Sequence, residues 1–404
     1  MNIDVISIFK IMIKLKIKNK RRGPVLGRHP WIFSQAFLNI PEGLESGDPV
    51  AVYSENDEFL GQGYFNSYSQ IAVRLWSYDE NEIIDQNFFD KRVTNAFRLR
   101  QNYVLNKLTD SCRIIYAEND FLPGLVVDKY DSYLSVQFHT KGMEKWKTEI
   151  VSSLNQIIKP KAIFERSEVK NREVEESAGV SQIICGDMPD KIIIKENGLK
   201  FFVDIKGGQK TGFFLDQREK RLALQKYVKD KNLLNCFCYT GGFSIYALAA
   251  GVKSVTNVDV SAPAMELLKE NIELNKLSAK NCEFLVTDAK EYLHNLEKNK
   301  FDAIILDPPA FIKSRHHKDK GIVGYKKINE IAMAKIAPDG ILLTASCSAH
   351  LKLDEFRYII SEAQARSHRS AQILETHIHS SDHPELVAFT ETEYLKCFIL
   401  KIVE

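Results

Sequence analysis

Apolar and polar positions change rhythm three times along the chain. Met12-Ile13-Lys14-Leu15-Lys16-Ile17-Lys18 alternates apolar and basic residues from Ile13 on, the two-residue period of a half-buried strand. Met12 is therefore the expected start of the fold, with residues 1–11 a dispensable extension. Short apolar runs at 49–53, 59–64 and 71–76 are separated by turns, and their length and spacing predict a small β-barrel within residues 1–80. Residues 81–195 read differently. A helix over about 87–108 with Asp85 near its N-cap is followed by strands near 113–117, 124–127 and 133–139. A helix near 143–158 and strands near 162–165 and 191–194 complete an α+β pattern. From 196 to 404, apolar runs at 233–237, 254–258, 282–286, 301–306 and 341–345 alternate with helical patterns such as 264–275 and 329–336. Repeated β-α units predict an α/β domain whose parallel sheet has right-handed crossovers.

Composition narrows the class. A chain of 404 residues is too long for one ordinary core, so two or three domains are expected. An apolar content of 44% with 27% charged residues excludes a disordered chain. The net charge of +2 means that nucleic-acid affinity must come from local patches. The N-terminal stretch supplies one, with Lys10, Lys14, Lys16, Lys18, Lys20, Arg21, Arg22 and Arg28 against Asp4, although a solvated tail or edge strand explains these charges equally well. No apolar run reaches the ~18 residues that span a bilayer, so the chain reads as cytoplasmic with no membrane partner. The seven cysteines are odd in number and include no C-x-x-C pair, which supports neither a zinc site nor a disulfide framework. Cys236 and Cys238 alternate on an apolar strand as core fillers. His377, His379 and His383 come without a ligand set, so no metal is expected.

Candidate chemistry sits at strand ends. Asp307-Pro308-Pro309-Ala310-Phe311 closes one apolar run and Ser346-Cys347-Ser348 the next. In a doubly wound sheet those ends open on one crevice, so a carboxylate and a thiol would face one substrate. The stretch from Leu234 to Phe243 is a strand running into Gly241-Gly242 and then a helix, and Asp259 closes the following strand, where an acidic residue bonds ribose hydroxyls. Dinucleotides and S-adenosyl-L-methionine (SAM) both fit that much. Pyrophosphate binding needs G-x-G-x-x-G, which is absent, whereas a sulfonium cation suits carboxylates at successive strand ends: Asp259, Asp288 and Asp307. SAM is the expected cofactor, although any one of these aspartates would also serve as a helix cap.

Two resemblances sharpen the reading. Gly27-Arg28-His29-Pro30-Trp31-Ile32-Phe33-Ser34 resembles the opening motif of the PUA domain of certain RNA-modifying enzymes. The run Gly207-Gly208-Gln209-Lys210-Thr211-Gly212-Phe213-Phe214-Leu215-Asp216-Gln217-Arg218, with the 235–243 and 307–311 motifs, Gly324-Tyr325-Lys326 and Ser346-Cys347-Ser348, resembles the bacterial large-subunit (23S) rRNA cytosine-C5 methyltransferases. The likeness covers nearly the whole chain from Met12. It implies a Rossmann-like class I methyltransferase domain at 196–404, preceded by a PUA-type barrel at 1–80 and an α+β domain at 81–195. It also implies that Lys210, Phe214, Asp216 and Arg218 border the SAM pocket. Phe237, Tyr239, Thr240 and Gly241 would line the methionine side, with Asp259 and Ser261 on the ribose and Asp288 near the adenine. Asp216 and Glu219 also have capping-box spacing. RNA, namely 23S rRNA, is the implied partner, and a homodimer is compatible with the pattern.

The chemistry explains the thiol. Cytosine C5 is a poor nucleophile until a thiolate attacks C6 and makes the ring an enamine. Cys347 is the candidate nucleophile and Asp307 the residue that would bond the N3/N4 edge. A nearby sulfonium, or Lys326 if its loop folds inward, would favour the thiolate. The base that takes the C5 proton is not legible. Ala310 follows Pro309 where some RNA methyltransferases carry a second cysteine, so release must proceed without one. The two prolines stiffen the loop, and a flipped base is expected near Phe311. Arg28, His29, Lys313 and Lys326 are the candidate RNA contacts, the last two on a basic loop spanning 312–327 that would act as a phosphate-contacting lid. Methyl transfer to an RNA nitrogen, or an inactive RNA-binding or assembly protein, are the alternatives.

Overall fold

The computed structural model describes residues 12–167, 179–208 and 212–403. The proposed extension 1–11, the basic pair Lys170 and Arg172, which reads in sequence as a solvated loop rather than an RNA contact, and the candidate pocket residue Lys210 lie outside the described residues. The chain divides into two compact units. The first comprises residues up to Arg100, Arg113–Met188 and Leu386–Phe389, and the second comprises Gln101–Cys112, Pro189–Glu385 and the C-terminal residues from Thr390.

In the first unit, β1 (Ile13–Ile17), β2 (Trp31–Phe33), β3 (Pro49–Ser54), β4 (Phe59–Phe65) and β5 (Ile71–Ser77) form one sheet in the order β1-β3-β4-β5-β2. The alternating N-terminal run pairs parallel with β3 and buries Leu15 and Ile17 while its lysines face out. A helix at Gln86–Tyr103 follows, and Asp85 accepts from the Phe88 amide at 3.0 Å as an N-cap does. The helix stops short of residue 108 because the Asn106 side chain closes a turn, accepting from Leu108 N at 2.8 Å and Thr109 N at 3.1 Å.

The second sheet runs β10-β9-β8-β7-β6, with β6 (Cys112–Tyr116), β7 (Leu125–Tyr130), β8 (Tyr133–Phe138), β9 (Ala162–Ser167) and β10 (Val180–Gly186). The single helix expected at 143–158 is two, Lys141–Lys145 and Lys147–Ile158, broken at Trp146, whose indole packs 5.3 Å from Phe89. The strand expected at 191–194 does not join this sheet. It is β11 (Ile192–Glu196), which pairs with β12 (Leu199–Val203) in the second unit. The edge position belongs to β10, a mostly exposed strand with no apolar alternation to betray it.

The second unit carries a seven-stranded sheet in the order β15-β14-β13-β16-β17-β19-β18: β13 (Asn232–Cys236), β14 (Ser254–Asp259), β15 (Cys282–Val286), β16 (Ala303–Leu306), β17 (Ile341–Ser346), β18 (Ser370–His377) and β19 (Lys396–Val403). The five expected strands are parallel, but β19 runs antiparallel to both β17 and β18, which corrects the all-parallel expectation. Alternate residues serve two cores. Leu234, Cys236, Ile304, Leu306 and Leu342 pack on one face, and Leu233, Ile305, Leu343 and Ala345 on the other. Each fully buried aliphatic side chain contributes about 1.5–3 kcal/mol, which makes the central strands the rigid platform for what their ends carry.

The basic loop expected at 312–327 is also corrected. A helix occupies Lys318–Lys335, and its buried stripe of Gly321, Tyr325, Ile328, Asn329, Ala332 and Met333 has helical spacing. A Cβ on Gly321 would sit 2.3 Å from Ile312 and 2.9 Å from the Phe311 carbonyl, so glycine lets this helix press against the Asp307–Phe311 loop. Glycines and lysines in its first half obscured the apolar period.

Candidate cofactor and catalytic site

Strand β13 ends in a strained turn. Phe237, Tyr239 and Gly241 have φ of 60°, 48° and 78° before the helix Gly242–Ala249 begins. Non-glycine residues in this left-handed region cost about 1–3 kcal/mol each and persist only where neighbours hold them. Here the Tyr239 amide donates to Asp259 Oδ2 at 2.8 Å, the Cys238 amide to Val258 O at 3.1 Å, and the Gly241 amide to Cys238 O at 2.9 Å. Buried Thr240 is fixed through its carbonyl, which accepts from Asn271 Nδ2 at 3.1 Å. A Cβ on Gly241 would lie 1.9 Å from Leu268 Cδ1, so the loop can pass there only as glycine.

Asp259 also accepts from Ser261 N at 2.9 Å, and Ser261 caps the next helix by accepting from Ala264 N at 3.2 Å. An ionised carboxylate has about four acceptor sites, so Asp259 retains capacity for ribose hydroxyls after these two backbone bonds. Asp288 is exposed and caps the helix Ala289–Asn295, accepting from Lys290 N at 2.7 Å and Glu291 N at 3.1 Å. A cradle that admits only glycine, beside half-buried Asp259, fits the neutral-backbone and carboxylate demands of a sulfonium nucleoside. It offers no phosphate-binding glycine series.

The 212–219 segment folds against this turn. The Phe214 ring meets that of Tyr239 edge-on at 5.4 Å. Asp216 lies in a short 3-10 turn, where its carboxylate bonds the Tyr394 hydroxyl and its carbonyl accepts from Lys220 Nζ at 2.7 Å and Ser380 Oγ at 2.9 Å. The anticipated capping box does not form. Helix Arg218–Leu224 starts from Gln217 without a side-chain cap, and Glu219 instead accepts from Ser381 N at 3.1 Å and Ser381 Oγ at 2.9 Å. Arg218 is buried with its fork on Asp382 at 2.9 and 3.2 Å. Burial works to raise the Asp382 carboxyl, but Arg218 and His383 outweigh it and hold that group far below the ordinary carboxylate range.

The candidate substrate-side groups meet as the topology requires. Leu306 pairs with Thr344, so the ends of β16 and β17 are neighbours, and Cys347 Sγ lies 3.8 Å from the Pro308 carbonyl oxygen. Asp307 is half-buried, and both its oxygens accept from Gln217 Nε2 at 3.0 Å. Ser348 ties the two loops together. Its hydroxyl accepts from Ile312 N at 3.2 Å and shares a 2.9 Å bond with the Tyr325 hydroxyl, which accepts from Phe311 N at 3.4 Å. The Phe311 ring, expected to receive a flipped base, already packs against Tyr325 at 4.7 Å and under Lys290 Nζ at 4.5 Å. Gln217, Tyr325 and Ser348 fall within the motifs quoted from the sequence but were given no role there, and Lys396 was not singled out at all. A lysine inside the apolar run from Leu395 to Leu400 was the available signal for the last.

The candidate RNA contacts are dispersed. Arg28 is exposed with its guanidinium 4.5 Å over the Tyr78 ring. His29 packs edge-on against Trp31 and Phe389 within the first unit. Lys313 is exposed, whereas Lys326 lies on the helix and pairs with Glu362 rather than turning toward Cys347. The three histidines are matched to carboxylates: His377 to Glu375 at 2.8 Å, His379 to Glu385 at 2.6 Å and His383 to Asp382 at 3.1 Å. Among the described residues no cluster suited to a metal occurs, and no helix is long and apolar enough to cross a membrane.

Comparison with known proteins agrees with this geometry. Residues 15–78 match a PUA-like domain and residues 166–397 an S-adenosylmethionine-dependent methyltransferase. The ribosomal RNA large subunit methyltransferase I of Pseudoalteromonas atlantica is 40% identical over 385 residues, covering 95% of this chain and 98% of that protein. The chain belongs to this methyltransferase family. The protein of the same name from Tolumonas auensis is 40% identical over 391 residues, covering 96% and 98% of the two chains. Among solved structures, a SAM-dependent methyltransferase from Streptococcus mutans has 25% identity and a TM-score of 0.82 over 96% of this chain and 100% of its own. A second, SMU.776 complexed with SAH, reaches a TM-score of 0.84 at 25% identity over the same shares. The fold is a PUA-like domain followed by a Rossmann-like methyltransferase, and SAM is the cofactor.

Proposed function

We propose that this enzyme methylates C5 of a cytosine in large-subunit (23S) rRNA through a covalent adduct with Cys347. The supporting observation is the Cys347 thiol 3.8 Å from the Pro308 carbonyl, next to Asp307, at the adjoining ends of two parallel strands. SAM would supply an electrophilic methyl group, its methyl C–S bond breaking with the electron pair left on sulfur as the neutral thioether. Cys347 as thiolate bonds C6, the C5–C6 π pair moves to C5, and C5 takes the methyl. A base then removes the C5 proton, the double bond re-forms and the thiolate leaves. Asp307, oriented by the Gln217 amide, holds the N3/N4 edge of the ring through the addition. Phe214, Phe237, Tyr239, Thr240, Gly241, Asp259, Ser261 and Asp288 hold the cofactor in this reading, with Asp216 and Arg218 fixing the wall through Tyr394 and Asp382. The PUA-like segment within 1–80 engages RNA, using Arg28 and His29, while Lys313 and Lys326 of the 196–404 domain contact phosphate.

Incubation of ribosomal RNA with enzyme and SAM, followed by nucleoside mass spectrometry, tests the reading. The expected product is 5-methylcytidine from the wild type and none from Cys347→Ala. A nitrogen-methylated nucleoside made equally well by Cys347→Ala would overturn it.

A further inference from the structure

We infer that Lys396 is the cation that holds Cys347 as a thiolate, an inference that rests on the reading of Cys347 as nucleophile. Lys396 opens β19 directly across from Ser346 in antiparallel register. It is 2% exposed, and its Nζ donates to Ser348 O at 2.8 Å and Tyr394 O at 3.0 Å. Residue 347 thus lies between the residue that faces the lysine and the residue whose carbonyl the ammonium grips. An ammonium has three donors, so one N–H remains beyond these two bonds. Burying an ammonium against neutral carbonyls alone is costly, and an adjacent anion offsets that cost.

The titration of the lysine agrees. Burial pulls Lys396 down to about 8, while Cys347 acts in the opposite direction as the first of its charged neighbours. Coupling of this kind is mutual, since whatever keeps a proton on the amine favours its departure from the sulfur. Titratable groups near the pair include Tyr325 from the helix Lys318–Lys335, Glu355 from the helix Leu353–Ser367, and Glu385 and Glu393 ahead of β19, with Asp307 next to Pro308, whose carbonyl the Cys347 thiol meets. These are neutral or anionic and oppose a thiolate. The other nearby lysines are held elsewhere, Lys220 on the Asp216 carbonyl, Lys290 over the Phe311 ring, Lys318 on Glu355 and Lys326 on Glu362, whereas Lys396 is fixed on the Ser348 carbonyl next to Cys347. The thiol proton leaves to solvent, Lys396 keeps its own, and the sulfur loses its negative charge when it bonds C6.

Alkylation of Cys347 by iodoacetamide across pH, without RNA and read on the Cys347 peptide by mass spectrometry, tests the assignment. The wild type is expected to show a midpoint below the ordinary thiol value of about 8.5. Lys396→Gln retains donors for both carbonyls but no charge, and should raise the midpoint by about one unit, roughly a tenfold loss of thiolate at neutral pH. Lys396→Arg should keep the wild-type midpoint. A wild-type midpoint at or above the ordinary value, or a folded Lys396→Gln with an unmoved midpoint, overturns the inference; the wild-type profile decides even if a variant does not fold. A lowered midpoint without any adduct on 5-fluorocytosine RNA would instead remove Cys347 as nucleophile and leave the ion pair standing.

Discussion

Gly241→Ala is the sharpest perturbation of the cofactor turn. The added methyl would begin 1.9 Å from Leu268 Cδ1, 2.9 Å from its Cγ and 3.2 Å from its Cδ2, and Leu268 is fully buried in the helix that Ser261 caps. Leucine cannot swing away into solvent from that position. Two costs combine. An L-residue at φ 78° loses about 1–2 kcal/mol, and an overpacked core about 1–3 kcal/mol. The sum, about 2–5 kcal/mol, should lower the melting temperature by at least ~4 °C for a domain of this size. If the turn yields instead of the core, the loss should appear as SAM affinity, about tenfold for each 1.4 kcal/mol. Thermal unfolding and calorimetric titration with SAM on the same samples capture both routes. A variant with a melting temperature within about 1 °C of wild type and a Kd within about twofold would refute the cradle argument.

Three further outcomes follow from the same contacts. Asp382→Ala leaves buried Arg218 with the single 3.2 Å contact to Glu219 in place of its two-point grip on Asp382 and should cost about 3 kcal/mol in denaturant unfolding at neutral pH. Because the folded Asp382 carboxyl is depressed, its contribution is fully present above the unfolded value of about 3.9 and is lost as pH falls below it, so the gap between wild type and variant should narrow in acid. Tyr325→Phe removes the hydroxyl that joins Ser348 to Phe311 and should cost about 1 kcal/mol of stability, with a larger fall in methyl transfer than in SAM binding. Gln217→Ala frees the Asp307 carboxylate from its amide and should lower kcat with the SAM Kd within about twofold, whereas equal loss of both would contradict the orienting role.

Legibility followed burial and period. The central parallel strands of the catalytic sheet were readable because Leu233 to Cys236 and Ile341 to Ala345 are buried on both faces and form nearly continuous apolar runs, broken by Asn235 and Thr344 alone. The antiparallel β19 was not, although Cys397 to Leu400 is equally apolar, because no β-α unit precedes it and sequence period carries no strand direction. The second half of the helix over Lys318–Lys335 was legible as the pattern at 329–336, but its first half was hidden by Gly321, Gly324 and its lysines, which the packing against Phe311 and Ile312 explains only in three dimensions. At the site, Asp307 and Cys347 were legible from strand-end position, and their adjacency followed from topology. Gln217 and Lys396 were not, since their roles depend on side-chain contacts 90 residues away to Asp307 and 48 residues away to Ser348. The Asp216–Glu219 spacing misled for the same reason: Tyr394 and Ser381, far along the chain, claim both carboxylates.

Covalent trapping bears most directly on the central claim. RNA carrying 5-fluorocytosine at the methylated position cannot lose a proton from C5, so an enzyme that bonds C6 stays attached after methyl transfer. Wild-type protein with SAM should give a denaturation-resistant complex linked through the Cys347 peptide, and Cys347→Ala should give none. Full methyl transfer by the wild type with no such complex, or a complex linked through another residue, would contradict the account.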